Sequence, residues 1–459
     1  MIKRSLEQLA EMFEFDRDIL DRFGDVEISG VCIDTRKIEQ GNLFVPFKGE
    51  KVDGHTMVRD AFEKGASAAL WEKEVPNPPE DLPILIVDSS LIAVQELSKS
   101  YRNQLDLKVV GVTGSNGKTS TKDMIYSILS QKYAVQKTEG NYNNHLGLPL
   151  TLLSLKETTE VAVLEMGMSG RGEIEFLTKL AKPDFAVITN IGESHLQDLG
   201  SREGIAEAKL EIAEGLDEDG VLIYFGDEPL LTSRLNKPLP YQTQSFGRSK
   251  ENDVYPIHLK PTDSGTRFGV NILPETEFDV PVLGEHNVMN AMSALIIGHR
   301  LGLSAEQLVK GISGLKLTSM RMERLTGMKE SVIINDAYNA SPTSMRAAIK
   351  MAEEFEGCRN KFLVLGDMLE LGDMEKQFHT EVGKTIHPDK IDEVFTFGPL
   401  SRFIAEGAKQ NFSENAVHAF EDKEGLINLL KKKLGKNDLV VVKASRGMKL
   451  EEVVEALKN

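Results

Sequence analysis

Short apolar runs recur along the chain, each followed by a stretch with helical spacing. VAVLE (161–165), FAVIT (185–189) and VLIYF (221–225) are apolar on both alternating faces. That is the pattern of parallel strands buried between helices. The run VVGV (109–112) precedes them and leads into helical spacing with Met124, Ile125, Ile128 and Leu129 on one face. An antiparallel patch is expected near 253–283, then a helix beginning at Asn287 with Ala291, Ala294 and Leu295 inward. After residue 315 the alternation restarts with VIIN, FLVLG, EVFTFG and LVVVK, separated by helical segments. The first hundred residues read as a smaller α/β unit. It has a helix near 4–14, strands around 31–33 and 43–46, a helix near 56–64 and a strand at 84–87, with a turn-rich loop at 76–80. A helix over 91–102 leads into the next strand.

The expected fold is therefore α/β in three domains: residues 1–99, 100–314 and 315–459. The central domain is a doubly wound, mostly parallel sheet of P-loop type, and the last is Rossmann-like. Such sheets bind ligands at the carboxyl ends of their strands. A length of 459 residues agrees with several cores rather than one. No solenoid repeat or low-complexity tract is present, and Lys431–Lys433 read as a solvated helix face.

A net charge of −17 argues against general nucleic-acid or anionic-membrane binding, so cations for anionic ligands must be concentrated locally. Cys32 and Cys358 are too far apart in sequence to suggest a disulfide framework or a cysteine metal site. The opening MIKRSLEQLAEMFEF is charged throughout, unlike a signal peptide, and no apolar stretch approaches the roughly 20 residues of a membrane span. The expectation is a soluble cytoplasmic protein.

The most informative segment is VVGVTGSNGKTS (109–120), a strand, a glycine turn and a helix start. Backbone N–H groups of Gly114, Ser115, Asn116 and Gly117 can approach phosphate oxygens there, helped by the positive end of the helix. Lys118 is then placed for the outer phosphates, and Thr119, beside Ser120, for a magnesium ion. The position five residues before Gly117 holds Val112 where the usual motif has glycine, leaving the shorter form GSNGKT. The competing reading is an ordinary glycine turn before a helix.

Other candidates carry weaker local signals. Glu165 ends its strand, and its carboxylate should project toward Thr119 as a hard oxygen ligand. His195, in TNIGESHLQDLG, follows the end of another strand; a lone histidine is otherwise more often structural. Lys209 has apolar neighbours at helical spacing, and locally it reads as a lysine snorkelling to water. Asn287 and Asn290, three apart in GEHNVMNAMSAL, could meet an adenine edge, or Asn287 could cap the helix. Arg321 could neutralise a transferring phosphoryl group and Asp336 could hold a ribose hydroxyl; surface salt bridges are the alternative for both.

Together these segments resemble the Mur ligases, the ATP-dependent amide-forming enzymes of peptidoglycan precursor synthesis. GSNGKTSTK is similar to their phosphate loop, TNIGESHL to their magnesium-histidine segment, AEAK to their lysine motif and GEHNVMNA to their adenine segment, in the family's order. GNYNNHLGLPLTLL (140–153), EMGMSGRGEI (165–174), DAYNASPTSM (336–345) and LGDMLELG (365–372) resemble the members that attach a D-alanyl-D-alanine dipeptide. DTRKIEQGNLFVPFKGEKVDGH (34–55) resembles a uridine-nucleotide-binding region, and the Asp-Asn-Pro-Arg tetrapeptide of the preceding ligase is absent. Ala444 in KASRG stands where glycine is expected, beside Ser445 and Arg446.

The resemblance implies an ATP-dependent ligase adding D-alanyl-D-alanine to UDP-N-acetylmuramoyl-tripeptide through an acyl phosphate. It implies ATP and two magnesium ions, held by Thr119 and Glu165 and by Glu165, His195 and a carbamylated Lys209. Residues 114–120, Asn287, Asn290, Arg321 and Asp336 would bind ATP, and Lys118 and Arg321 would join the metal ligands in catalysis. Thr35 and Arg36 would meet the uridine nucleotide, Asn143, Asn144 and Arg171 the muramoyl-peptide, and Asn339 and Ser341 the dipeptide. A monomer whose third domain closes onto the central one is expected, with no nucleic-acid or membrane partner. Folylpolyglutamate ligases, P-loop motor or regulatory ATPases and a non-catalytic nucleotide-binding scaffold are the rival readings.

Overall fold

The computed structural model describes residues 1–50, 52–262 and 264–458. Its central element is a six-stranded sheet in the order Gln242–Phe246, Val221–Phe225, Phe185–Ile188, Lys108–Thr113, Val161–Glu165, Val135–Lys137. Every pairing in it is parallel. The apolar runs read from the sequence form its middle, and apart from Tyr224 and Phe225 their side chains are buried on both faces because helices cover both. The two edges, 135–137 and 242–246, are half-buried or polar and carry no such run.

Strand Lys108–Thr113 lies between Val161–Glu165 and Phe185–Ile188, so successive crossovers leave it in opposite directions. That reversal opens a crevice above the carboxyl ends of these strands. Helix Lys118–Leu129 rises from the crevice and packs Met124, Ile125, Ile128 and Leu129 against helix His286–Arg300. The antiparallel patch is a three-stranded sheet, Pro256–Thr262, Gly265–Val270 and Leu273–Val280. Phe268 and Phe278 meet inside it as tilted rings 5.5 Å apart.

A second six-stranded sheet follows in the order Glu323–Thr326, Val332–Asp336, Leu439–Lys443, Lys361–Gly366, Glu393–Phe397, Val417–Phe420. It is parallel apart from its first strand, which is antiparallel to Val332–Asp336. Lys431 and Lys432 are exposed as expected, while Lys433 reaches Glu393 at 2.8 Å.

The amino-terminal region holds a four-stranded parallel sheet, Val31–Cys32, Leu43–Phe44, Ala68–Glu72 and Ile84–Val87. The helix expected over 4–14 is largely absent. Residues Lys3–Ser5 pair with Glu27–Ser29 as antiparallel strands, so the helix starts only at Leu6, capped by Ser5 and Gln8, and ends at Leu9. Helix Ser90–Gln104 buries Ala93, Val94, Leu97 and Tyr101, and the Tyr101 hydroxyl donates to Leu155 O at 2.9 Å.

Candidate active site

The glycine turn after Lys108–Thr113 is shaped by two residues with positive φ. Gly114 (φ +148°) runs so close to Thr189 that a Cβ there would sit 1.8 Å from its hydroxyl. Gly117 (φ +81°) precedes helix Lys118–Leu129, whose first turn has no side-chain cap. The free N–H groups of that turn therefore face the crevice, ready for an anion. The loop is stitched to the segment after Phe185–Ile188. Ser115 N donates to Asn190 O (3.1 Å), Asn116 N to Asn190 Oδ1 (3.0 Å), and Gly192 N to Ser115 Oγ (2.8 Å). The Ser115 hydroxyl thus braces the loop.

Lys118 folds back to donate to Gly114 O at 2.8 Å. Burial lowers its pKa, a fall opposed by the Glu165 carboxylate and reinforced by Arg321. Glu165 is itself buried at the end of its strand. Its Oε1 accepts from Asn143 Nδ2 at 2.9 Å, while Oε2 has no hydrogen-bond partner and lies 3.9 Å from the buried Lys122 ammonium. His195 adopts a left-handed backbone (φ 63°, ψ 27°) before the short helix Leu196–Leu199. Its side chain lines the same cleft as Lys118, Thr119 and Glu165.

Lys209 departs from its local reading. Only 1 % of it is exposed, so it does not snorkel. Burial holds its pKa well below the ordinary lysine value, and the Lys118 charge pushes the same way. Asn287 likewise is not a cap. The helix starts at His286, and Asn287 Nδ2 donates back to Leu283 O (2.8 Å), with Asn290 packed against Gly117.

The second sheet closes the cleft from the other side. Arg321 donates to Thr119 Oγ1 at 3.1 Å and lies over the Tyr338 ring at 4.1 Å, so it is no surface salt bridge. Asp336 pairs with Lys443 Nζ at 2.5 Å, the two facing each other at the carboxyl ends of adjacent strands. His286 lies nearby, where desolvation lowers its pKa; Asp336 opposes that shift and Lys443 adds to it. The whole encloses a cavity of about 510 Å³ lined by the glycine turn, Asn143, Asn144, Glu165, His195, Asn287, Asn290, Arg321, Asp336 and Asn339 among others.

Six expected residues stand outside that lining, Gly114 and Lys209 among them. Ser341 caps helix Pro342–Glu354 and donates to Asn116 Oδ1 at 3.2 Å. Arg171 is paired with Glu207 at 2.8 Å on the surface. Thr35 and Arg36 lie in the amino-terminal region, where Arg36 clasps Asp34 and holds its carboxyl down at about 2. His286, Tyr338 and Lys443 were not anticipated. Lys443 had a signal, as the last residue of a buried strand. His286 and Tyr338 sit beside expected residues but carried no separate pattern.

Three family models match the chain in order: "Mur ligase family, catalytic domain" over residues 27–102, "Mur ligase middle domain" over 112–298 and "Mur ligase, glutamate ligase domain" over 320–446. A UDP-N-acetylmuramoyl-tripeptide–D-alanyl-D-alanine ligase of Bacillus subtilis is 54% identical over 100% of this chain and 99% of its own. The chain belongs to the Mur ligase family. A MurF crystal structure from Acinetobacter baumannii superposes with a TM-score of 0.88 at 30% identity, covering 99% of this Mur ligase and 98% of that chain. A MurF ligase from Thermotoga maritima in complex with ADP gives 0.81 at 30% identity, over 96% and 98%.

Proposed function

We propose that this Mur ligase joins D-alanyl-D-alanine to UDP-N-acetylmuramoyl-tripeptide with consumption of ATP, a step of peptidoglycan precursor synthesis. The observation that carries the reading is full-length identity of 54% to a ligase of that name, joined to a cleft that gathers Lys118, Glu165, His195 and Arg321. Residues 1–99 serve as the uridine-nucleotide domain, with Thr35 and Arg36 among its contacts, 100–314 as the ATPase domain and 315–459 as the closing domain. No helix among the described residues is long and apolar enough to cross a membrane. The enzyme works as a cytoplasmic monomer on small anionic substrates.

A carboxylate is a poor electrophile because its oxygen will not leave. Transfer of the γ-phosphoryl group to the terminal carboxylate of the tripeptide gives an acyl phosphate and ADP. The dipeptide amine attacks the acyl carbon, and the tetrahedral adduct expels phosphate to leave an amide. Lys118 and the free N–H groups at Gly117–Ser120 hold the phosphates, and Arg321 neutralises the γ-phosphoryl charge in flight. Asn287 and Asn290 seat the adenine and Asp336 the ribose. Asn143, Asn144 and Arg171 face the muramoyl-peptide, and Asn339 and Ser341 the dipeptide.

The donor set fits magnesium. Glu165 offers a buried carboxylate oxygen without a partner, and Thr119 a hydroxyl at the phosphate end. Among the described residues no group of three or more His, Cys, Asp or Glu forms a ready cage. Magnesium suits such a site, because it takes one or two protein ligands and completes its shell with phosphates and water. Thr119, Glu165 and His195 would hold the ions, which supply charge neutralisation. Lys209 would join them as a carbamate, its amine adding to carbon dioxide with loss of a proton to give a carboxylate-like ligand.

The test is phosphate release from ATP with UDP-muramoyl-tripeptide, with and without D-alanyl-D-alanine. Turnover should need both substrates and yield a product heavier by the dipeptide less water. Hydrolysis indifferent to both would overturn the reading.

A further inference from the structure

His195 presents two ring nitrogens, and the structure shows what occupies one of them. Its Nδ1 lies 2.9 Å from Glu370 Oε2, an ion-pair contact that is not aligned as a hydrogen bond. Glu370 belongs to the second six-stranded sheet's side of the cleft, in the loop after Lys361–Gly366, whereas His195 follows Phe185–Ile188 of the first. The two loops also meet through the backbone, Gln197 N donating to Glu370 O at 3.3 Å. Gly372 passes so near that a Cβ there would lie 3.4 Å from Gln197 Cα. Both His195 (φ 63°) and Glu370 (φ 65°) hold left-handed backbones, a strained conformation retained where the surroundings fix it.

The Glu370 loop is pinned to its own sheet from three directions. Buried Asp367 accepts from Leu400 N (3.1 Å) and Ser401 N (2.6 Å), Met368 N donates to His379 Nε2 (2.9 Å), and Leu369 N to Ser445 Oγ (3.0 Å). Glu370 is therefore delivered at a fixed place and travels only with the sheet that carries it. A second contact holds the His195 segment from the same side: Thr343 donates through N and Oγ1 to Glu193 at 3.2 and 2.7 Å.

We infer that Glu370 is a positioning residue that fixes the His195 ring from across the cleft. A small turn of the ring aligns Nδ1–H on that carboxylate and leaves the Nε2 lone pair for a cation. A histidine that ligates a metal commonly gives its other N–H to a carboxylate in this way, which sets tautomer and orientation. Here that carboxylate comes from a different sheet, so the ligand is set only when the two sides of the cleft are together. This couples closure to assembly of the metal site. It rests on the reading of His195 as a metal ligand. Glu370 is 59 % exposed, and such a pair contributes little to folding, so its loss should leave the fold intact.

The experiment compares the full-length enzyme with Glu370→Ala, Glu370→Gln and His195→Ala. Manganese binding is read by electron paramagnetic resonance in the presence of ADP, and the imidazole tautomer by ¹⁵N chemical shifts. Glu370→Ala should weaken manganese binding about 10–100-fold and shift His195 away from the Nδ1–H tautomer. Glu370→Gln, whose amide oxygen still accepts the bond, should restore most of both. KM for D-alanyl-D-alanine should move far less than the metal requirement. Unchanged manganese affinity and tautomer in Glu370→Ala, with His195→Ala impaired, would overturn this inference alone. Unchanged affinity in His195→Ala would overturn the ligand reading beneath it.

Discussion

A lysine amine with 1 % exposure and a charged lysine nearby is an expensive residue to fold around. Burial and the Lys118 charge both lower the pKa of Lys209, and nothing in its local packing explains why an apolar side chain does not stand there. Lys209→Met keeps nearly the same volume and removes the polar atom. The expected result is a Tm unchanged or raised, with ATP- and dipeptide-dependent turnover reduced at least about a hundredfold. Calorimetry and phosphate release on the same preparation check it. A fall in Tm with activity retained would mean that Lys209 serves the fold. Residues of this kind expose the limit of sequence reading. Apolar neighbours at Ile205, Ala206, Ile212 and Ala213 fit equally a stem lying on a surface helix and an amine sealed inside, since local spacing does not say what covers the helix. Glu370 escaped for the same reason: its partner is remote in sequence.

Among elements, helix Ser90–Gln104 shows how one buried hydroxyl joins segments. Tyr101 OH donates to Leu155 O, tying this helix to the end of Gly147–Ser154. Burial, with the Glu157 charge adding and Arg4 opposing, raises the phenol to about 12 from 10.0. The unfolded chain therefore releases the proton near pH 10 while the folded one keeps it to about 12. The folded state binds more protons in that window, so this contribution to stability is full below pH 10 and is lost as pH rises through about 12. Tyr101→Phe should be less stable by about 1 kcal/mol at pH 8, and the deficit should shrink at pH 11 and above. Urea midpoints across that range measure it, and a constant deficit would contradict the assignment. Element by element, the legible parts were those buried on both faces. VAVLE and FAVIT announce themselves because neither alternating face meets water, and VLIYF does so through its buried first three residues. Edge strands Val135–Lys137 and Gln242–Phe246 are half polar and look like loops. The helix expected at 4–14 failed because pairing of Lys3–Ser5 with Glu27–Ser29 overrode local spacing, a contact 24 residues away.

At the scale of the molecule, the cleft exists only between two sheets. Arg321 reaches Thr119, Ser341 reaches Asn116, Thr343 reaches Glu193 and Thr318 holds buried Asp123 at 2.8 Å, all pairing the glycine-turn side with the closing side. These contacts are hydrogen bonds to groups that water satisfies nearly as well, so each alone contributes about 1 kcal/mol. A bound triphosphate changes that balance, because Lys118 and Arg321 on opposite sides would share one anion, and a ligand shifts an equilibrium by its preference for one state. We predict that small-angle scattering with a non-hydrolysable ATP analogue and UDP-muramoyl-tripeptide gives a smaller radius of gyration than without ligands. It should approach the value of about 23 Å that a compact chain of this length has. Arg321→Ala should bind the UDP substrate normally, yet lose most of the compaction, since the shared anion then has a hold on one side only. A radius indifferent to saturating ligands would mean that the two sheets are fixed in place, and the coupling of closure to chemistry would fall with it.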